Sequence, residues 1–255
     1  LNADLLSEDG SDVRVYGEDG NELAFEIESW DRTGESIIWV KIPELAPTSE
    51  KITSVFVKWG ATEARTTDPK DVWTEYLAVW HMNDTAIVDA TGNGNVLTGT
   101  SVALTDGEVG KALAASKGLA MSANFVDDCP DYAVSCWYRY GSAVQVSPLS
   151  KGGWQKNGWY LEYKGTTTEM NYIVYSTKSS VVAPNILDNW NHVSVNVVGG
   201  VLTGYMNGTT KNTHSKKVEV DDYTLSAIGG SGNGITRPCR AVALLDENLC
   251  CCGVH

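Results

Sequence analysis

Short runs in which apolar and polar residues alternate, each stopped by a glycine-bearing turn, recur along this chain and leave little room for any architecture but antiparallel sheet. The clearest is His192-Val193-Ser194-Val195-Asn196-Val197-Val198. Successive side chains of a strand leave opposite faces, so the three odd-numbered valines point one way and His192, Ser194 and Asn196 the other. One face is core and one is wet. Strand-like runs also occupy 132–139, 158–163 and 171–175, and Asn207-Gly208 is a pair that favours a two-residue hairpin turn. The chain carries 25 Gly, 9 Trp and 11 Tyr against 3 Phe, with few long stretches of helix-building residues, so strands should dominate an all-β fold.

At 255 residues the chain can bury one large core or two modest ones. In the first region, Glu8-Asp9-Gly10 and Glu18-Asp19-Gly20 flank alternating runs at 12–16, 23–30, 36–43 and 52–60. That pattern predicts a small antiparallel sheet domain over 1–66. The polar stretch 61–73, with Asp68-Pro69, reads as a linker. A second domain is expected over 75–255.

The formal net charge of -13 comes without any cluster of Lys and Arg, which excludes nucleic acid and anionic membrane surfaces as partners. No apolar run approaches the roughly 18 to 20 residues needed to cross a bilayer, so direct membrane insertion of this chain is not expected. Leu1-Asn2-Ala3-Asp4 is not a signal peptide, and strand-like sequence follows almost at once. The expectation is a piece of a longer polypeptide whose targeting segment lies upstream and whose other domains are further partners. Of the six Cys, Cys129 and Cys136 either bridge in an oxidising compartment or remain thiols. Cys250-Cys251-Cys252 with His255 is a poor zinc set, because adjacent cysteines of a strand point opposite ways.

The stretch from Tyr76 to Gly110 closes a strand with Trp80-His81-Met82. It continues through an acidic loop with Asp84 and Asp89, the turn-rich Thr91-Gly92-Asn93-Gly94-Asn95, and Thr105-Asp106-Gly107-Glu108-Val109-Gly110. Further on come Cys136-Trp137-Tyr138, Leu149-Ser150-Lys151-Gly152, Asn189-Trp190-Asn191-His192, Gly204-Tyr205-Met206-Asn207-Gly208 and Ile228-Gly229-Gly230-Ser231. This order resembles laminin G-like modules of the concanavalin A-like superfamily over nearly all of 80–230. Ahead of it, Asp12-Val13-Arg14-Val15, Glu26-Ile27-Glu28-Ser29-Trp30, Ile38-Trp39-Val40-Lys41-Ile42-Pro43 and Phe56-Val57-Lys58-Trp59-Gly60 resemble a small β-domain of unassigned function. That domain often precedes such modules in bacterial and archaeal envelope proteins, usually with one more strand at its start. The resemblance implies a small antiparallel β-sheet domain followed by a concanavalin A-like jelly-roll β-sandwich. The tail departs from it: Asp246-Glu247 stands where the family has an acidic pair, but the cationic and apolar residues that close its last strand are missing.

The same resemblance implies one structural Ca²⁺, with Asp89, the nearby Asn93 and Asn95, and Asp246 as its ligands. A hard cation wants roughly six to eight oxygens, which a Gly- and Asn-rich turn lets converge. The alternative is that Asp89 caps a turn and Asp246 is solvated. For a sugar, Trp154, Trp159 and Tyr160, flanked by Gln155 and Asn157, form the aromatic cluster in a loop-like context, where a pyranose stacks on an indole. Against that, Trp159 reads equally as core and Trp154 as a loop packing residue. Trp39, Trp59, Trp80 and Trp137 lie in apolar runs and are expected in the core.

Laminarinase-type hydrolases place acids in Glu-x-Asp-x-(x)-Glu spacing, with the carboxyls roughly 5 Å apart, and that motif does not occur. Glu26 and Glu28 share a face but belong to the first domain, where they read as solvated edge carboxylates. No Gly-x-Ser-x-Gly elbow is present, and His81, His192, His214 and His255 lack an activated Ser or Cys beside them. The expected function is a non-catalytic extracellular, cell-surface or periplasmic module recognising glycans or surface proteins. Its rivals are a structural or assembly ectodomain and a divergent glycoside hydrolase.

Overall fold

The computed structural model describes residues 7–44, 54–98, 102–115, 119–121, 131–139, 147–152, 156–163, 169–175, 177–182, 188–208, 210–219, 225–227 and 237–246. The chain forms two compact units, Leu1–Thr74 and Glu75–His255.

In the first unit β1 (Arg14–Tyr16) pairs antiparallel with β4 (Phe56–Lys58), and β2 (Phe25–Ser29) with β3 (Ile37–Val40). Alternation turns Val13, Val15, Leu23 and Phe25 into a small core lined by Ile27, Trp30, Ile38, Val40 and Val55. Trp59, expected in that core, is instead 43% exposed, and its neighbours Phe56 and Val57 are exposed too. β4 has a second strand on only one edge among the described residues, so its apolar side chains find no opposing layer.

The stretch expected as a linker, 61–73, folds back onto this sheet. The Arg65 guanidinium lies 3.6 Å over the Phe25 ring and donates to the Phe25 carbonyl, while Arg14 donates to the carbonyl of Glu63. Asp68 then caps a short 3-10 turn, Pro69–Trp73, in a capping box with Asp71. The turn buries Trp73, whose Nε1 donates to Glu26, and Trp73 meets Trp39 edge-to-face at 5.5 Å. Trp39 Nε1 donates to Glu28 Oε2 at 2.6 Å. Glu26 and Glu28 are therefore acceptors for two indoles and not the solvated pair expected.

In the second unit the described strands make two antiparallel sheets. The eight-stranded sheet runs β17 (Thr210–Thr213), β16 (Val201–Met206), β15 (Trp190–Val198), β10 (Tyr132–Arg139), β19 (Arg237–Asp246), β8 (Lys111–Ala115), β7 (Val102–Asp106), with β5 (Tyr76–Val79) also paired to β19. The seven-stranded sheet runs β14 (Thr177–Val182), β13 (Glu169–Tyr175), β12 (Lys156–Tyr163), β11 (Leu149–Gly152), β18 (Leu225–Ala227), β9 (Leu119–Met121), β6 (Leu97–Thr98). The chain changes sheet between β5 and β6, β6 and β7, β8 and β9, β9 and β10, β10 and β11, β14 and β15, β17 and β18, and β18 and β19, so strands distant in sequence lie side by side. β19 lies in the middle of its sheet, with Tyr132 opposite Asp246 and Cys239 opposite Leu113. The closing strand that the tail left in question, after Asp246-Glu247, falls outside the described residues.

The core lies between the sheets and includes Trp80, Leu113, Val134, Cys136, Tyr138, Trp159, Leu161, Tyr172, Val193 and Val195. Cys136 is a buried thiol there, whereas Cys129, Cys250, Cys251, Cys252 and His255 lie outside the described residues. Tyr138 OH reaches Met206 Sδ at 3.7 Å on the core face of the eight-stranded sheet, over the intervening β15. His214 ties the unit's sheet edges together. Its Nδ1 accepts from the Lys216 amide at 2.9 Å, which leaves Nε2 to donate to the Thr177 carbonyl at 2.9 Å.

One glycine governs how closely the sheets approach. Gly204 stands in the middle of β16, and a Cβ there would run into the ring of Tyr172 on β13. Tyr172 is fully buried, and its hydroxyl donates to the Tyr205 carbonyl at 2.8 Å. Gly204→Ala is expected to destabilise the sandwich by about 2–3 kcal/mol, because the ring cannot retreat within a filled core. The loss would be read from the denaturant midpoint at unchanged slope, and a change within error of zero would mean that the ring moves freely.

Candidate functional site

The two sheets of the second unit treat their outward faces differently. On β10 and β15 burial alternates residue by residue, so the outward Ser135, Trp137, His192, Ser194 and Asn196 are half-buried and wet. On β12 the inward set is Trp159, Leu161 and Tyr163, yet the outward Tyr160 and Glu162 are only 5% and 4% exposed. The outward residues of β13 and β11 behave alike: Asn171 is 8% exposed, and Ile173 and Ser150 are buried as well.

Register assembles these side chains into one floor. Tyr160 stands between Ser150 and Ile173, and Glu162 stands opposite Asn171. Lys178 of β14, opposite Ile173, sends its Nζ to Glu162 Oε2 at 3.1 Å. Glu169, two residues before Asn171 on β13, lies on the same face. Next to Ser150 and Tyr160, towards the β11–β12 connection, the facing pair is Gly152 and Gly158, so these two strands carry no side chain there. The face brings hydroxyl, phenol, amide and carboxylate side by side.

A carboxylate taken out of water needs a cation and hydrogen bonds, and Lys178 supplies the cation. Burial, and after it the charge of Glu162, push the Tyr160 phenol up to about 12. It stays a neutral donor and acceptor throughout the physiological range.

Of the expected sugar-binding residues, Tyr160 lies on this floor. Trp159 does not: it is 1% exposed within the inter-sheet core, and its Nε1 donates to Tyr132 OH at 2.8 Å, so no ring face is left for a pyranose. Trp154 and Gln155 lie outside the described residues, and Asn157 belongs to β12 with its side chain outside them. Sequence reasoning missed Ser150, Glu162, Asn171 and Lys178. The signal was available at 159–163, where large residues occupy both parities of one strand, the mark of a strand covered on both faces.

The expected calcium ligands form a different structure. Asp89 Oδ1 accepts from the amides of Val79 and Thr91, both at 3.1 Å, and from Thr91 Oγ1 at 2.7 Å. Its Oδ2 accepts from the Asn95 amide at 3.0 Å and from Asn95 Nδ2 at 3.2 Å. Asn93 and Asn95 turn their Nδ2 groups to the Leu77 carbonyl at 3.1 and 2.7 Å, and the Asn95 carbonyl accepts from Trp80 Nε1 at 3.0 Å. N–H and O–H groups thus converge where a cation would need oxygens. Among the described residues no three His, Cys, Asp or Glu side chains gather to hold a metal. The described residues do not fit calcium; they latch the 89–95 loop onto β5. Asp246 ends β19, with its side chain outside the described residues.

Two family models match the sequence. The domain of unknown function DUF2341 covers 9–86, and a model described as the concanavalin A-like lectin/glucanases superfamily covers 113–248. No curated protein matches significantly. Among solved structures, the chain is similar to the receptor-binding domain of botulinum neurotoxin type G (TM-score 0.52, 11% identity, 69% of this chain and 48% of that one). It is also similar to the botulinum neurotoxin serotype D ligand-binding domain in complex with N-acetylneuraminic acid (0.51, 14%, 69% and 48%). A third is Trypanosoma rangeli sialidase in complex with sialic acid (0.54, 11%, 69% and 31%). The chain spans at most about half the length of these structures, and at such identities the likeness is one of fold. With two facing antiparallel sheets in its second unit and the superfamily's model matching over half its length, this chain belongs to the concanavalin A-like lectin/glucanases superfamily, with a DUF2341 domain ahead of the sandwich.

Proposed function

We propose that the chain is a non-catalytic glycan-binding module of a secreted or surface-exposed protein, and that its sugar site is the outward floor of the seven-stranded sheet. The observation that carries this reading is the burial of Tyr160, Glu162, Asn171 and Ser150 on a face that an ordinary sandwich leaves to water. Carboxylate, amide, phenol and hydroxyl side by side suit a ligand made of hydroxyl groups. Trp154, two residues after Gly152 in the sequence, is the aromatic ring proposed for stacking. Two of the similar structures are of proteins in complex with sialic acid, which lends support in kind only, since the scaffold fixes no ligand by itself.

A divergent hydrolase is the second reading, favoured by one observation. Glu162 and Glu169 are diagonal neighbours on the floor, a placement that sets their Cα atoms about 7–8 Å apart. Release of reducing sugar from a polysaccharide panel, abolished by Glu169→Gln, would establish it. The binding reading expects no release.

On a glycan array, Asn171→Ala and Trp154→Ala are each expected to weaken the wild-type hits by about tenfold in folded variants, a lost hydrogen bond or stacking contact of ~1–2 kcal/mol. Silence of the wild type on the array, together with self-association in solution, would favour an assembly role. Asp89→Ala should cost about 2–3 kcal/mol, because several donors lose one acceptor. A ligand bound only by the folded state raises its stability, so a chelator should leave the wild-type melting temperature in place; a drop would restore calcium.

The Tyr160 phenol gives a pH test. Its folded value of about 12 lies above the ordinary tyrosine value near 10, so the folded state holds the proton more tightly. Its contribution to stability is whole below about pH 10 and is lost as pH rises through 12. Glu162→Gln should lower that phenol's midpoint in a spectroscopic alkaline titration, and an unmoved midpoint would separate the two groups.

A further inference from the structure

We infer that the outward face of the eight-stranded sheet is a second ligand surface, built for an extended acidic glycan whose carboxylate or sulfate groups meet the cations placed there. It goes beyond the floor proposed above, which lies on the other sheet, and does not depend on it. Charge segregation carries the inference. The chain holds 32 Asp and Glu against 19 Lys and Arg. Yet β10, β15, β16 and β17 contain no Asp or Glu, and the one acid of β19, Asp246, stands opposite the inward-facing Tyr132.

Basic residues do hold positions on that face. Arg139 is outward on β10 opposite Trp190, with its guanidinium 5.1 Å over the indole ring. Register sets the position of Arg240 on β19 opposite Trp137, and that of Lys211 on β17 opposite Tyr205. The three are far apart in the sequence and meet only because the strands lie side by side, so no basic cluster shows in the chain itself. Asp106, the acid whose charge reaches Arg139, is held by Lys111 at 2.8 Å.

Flat rings lie among these bases. Trp137, expected in the core, is outward and half-buried, with the His192 ring opposite it at 5.2 Å between centroids. Trp190 and Tyr205 are half-buried on the same face, as are Ser135, Ser194 and Asn196. The floor of the other sheet is closed off, whereas each of these side chains keeps part of its surface in water.

A pyranose lays its apolar face on an indole while its hydroxyls meet short polar side chains, and a guanidinium presents paired N–H donors to an oxyanion. A cation held over a ring face spends none of those donors on the ring. A neutral glycan would need the rings alone; bases gathered on one face of an acidic protein, with acids kept off it, complement an anionic one. From β17 to β19 the face crosses five adjacent strands. At roughly 4.8 Å per spacing that is about 19 Å, which suits an extended chain better than a single sugar.

The test titrates the whole chain, at physiological ionic strength, with a polyuronate, a sulfated glycosaminoglycan and a neutral glucan, and with polyglutamate and phosphatidylglycerol vesicles as polyanions without sugar. At least one acidic glycan is expected to bind about tenfold or more tightly than the glucan and the other polyanions, and which one binds tells carboxylate from sulfate. Trp137→Ala and Arg139→Gln, with folding checked by melting, are each expected to weaken that binding by about tenfold.

No binding of either acidic glycan, binding no tighter than that of the glucan, polyglutamate or vesicles, or binding unchanged in the folded variants would overturn the inference. So would acidic-glycan binding that Asn171→Ala abolishes and Arg139→Gln leaves intact, a result that would place the ligand on the floor of the other sheet and uphold the reading given to it. Arg139 is the last residue of β10 and half-buried, so Arg139→Gln keeps the test open should Trp137→Ala fail to fold.

Discussion

A carboxylate cannot remain charged in a protein interior without a partner, and the pairing of Glu162 with Lys178 is the condition under which the second sheet can be closed on both faces. The two ends of the pair are not equivalent: Glu162 is buried and depends on the cation, whereas the Lys178 side chain is 39% exposed and would stay hydrated without it. The floor around it follows from the pair. Asn171 stands opposite Glu162 in the register, Tyr160 shares its strand face, and the burial that raises the phenol's proton affinity also keeps the ion pair strong. The ligand chemistry proposed for the site is the chemistry that these groups retain once they have satisfied one another.

Most of the sandwich was legible in the sequence because its eight-stranded sheet obeys the simplest rule of half-buried strands. Val193, Val195 and Val197 point inward and His192, Ser194 and Asn196 outward, as their alternation requires, and Val195 meets Val134 across the ladder. The seven-stranded sheet escapes that rule because it is covered twice. Trp159 and Tyr160 therefore looked like one aromatic cluster, although consecutive residues of a strand belong to opposite faces and only Tyr160 reaches the floor. Sequence spacing cannot show that Lys178 comes to lie against Glu162, since that contact depends on β12, β13 and β14 lying side by side.

Elsewhere the misreadings have one physical root, the assumption that polar sequence faces water. The stretch 61–73 is polar enough for a linker, yet its Arg, Asp and Trp side chains are the anchors that hold it to the first unit. Glu26 and Glu28 accept from indoles, and Asp89 gathers amide and hydroxyl donors around a loop whose residue types equally suit calcium. Trp59 errs in the other direction: its apolar run led to an expectation of burial, but a strand with one neighbour has too little sheet to cover it.

The seat of the Tyr172 ring on Gly204 has a bearing on how such a sandwich can drift in sequence. The two positions are 32 residues apart and belong to different sheets, yet a side chain at 204 and a six-membered ring at 172 exclude each other in space. In related chains they should therefore vary as a coupled pair, with any larger residue at 204 accompanied by a smaller one at 172. Such a swap would also remove the hydroxyl that reaches the Tyr205 carbonyl, so a lineage taking this route must find another donor for it or let water in.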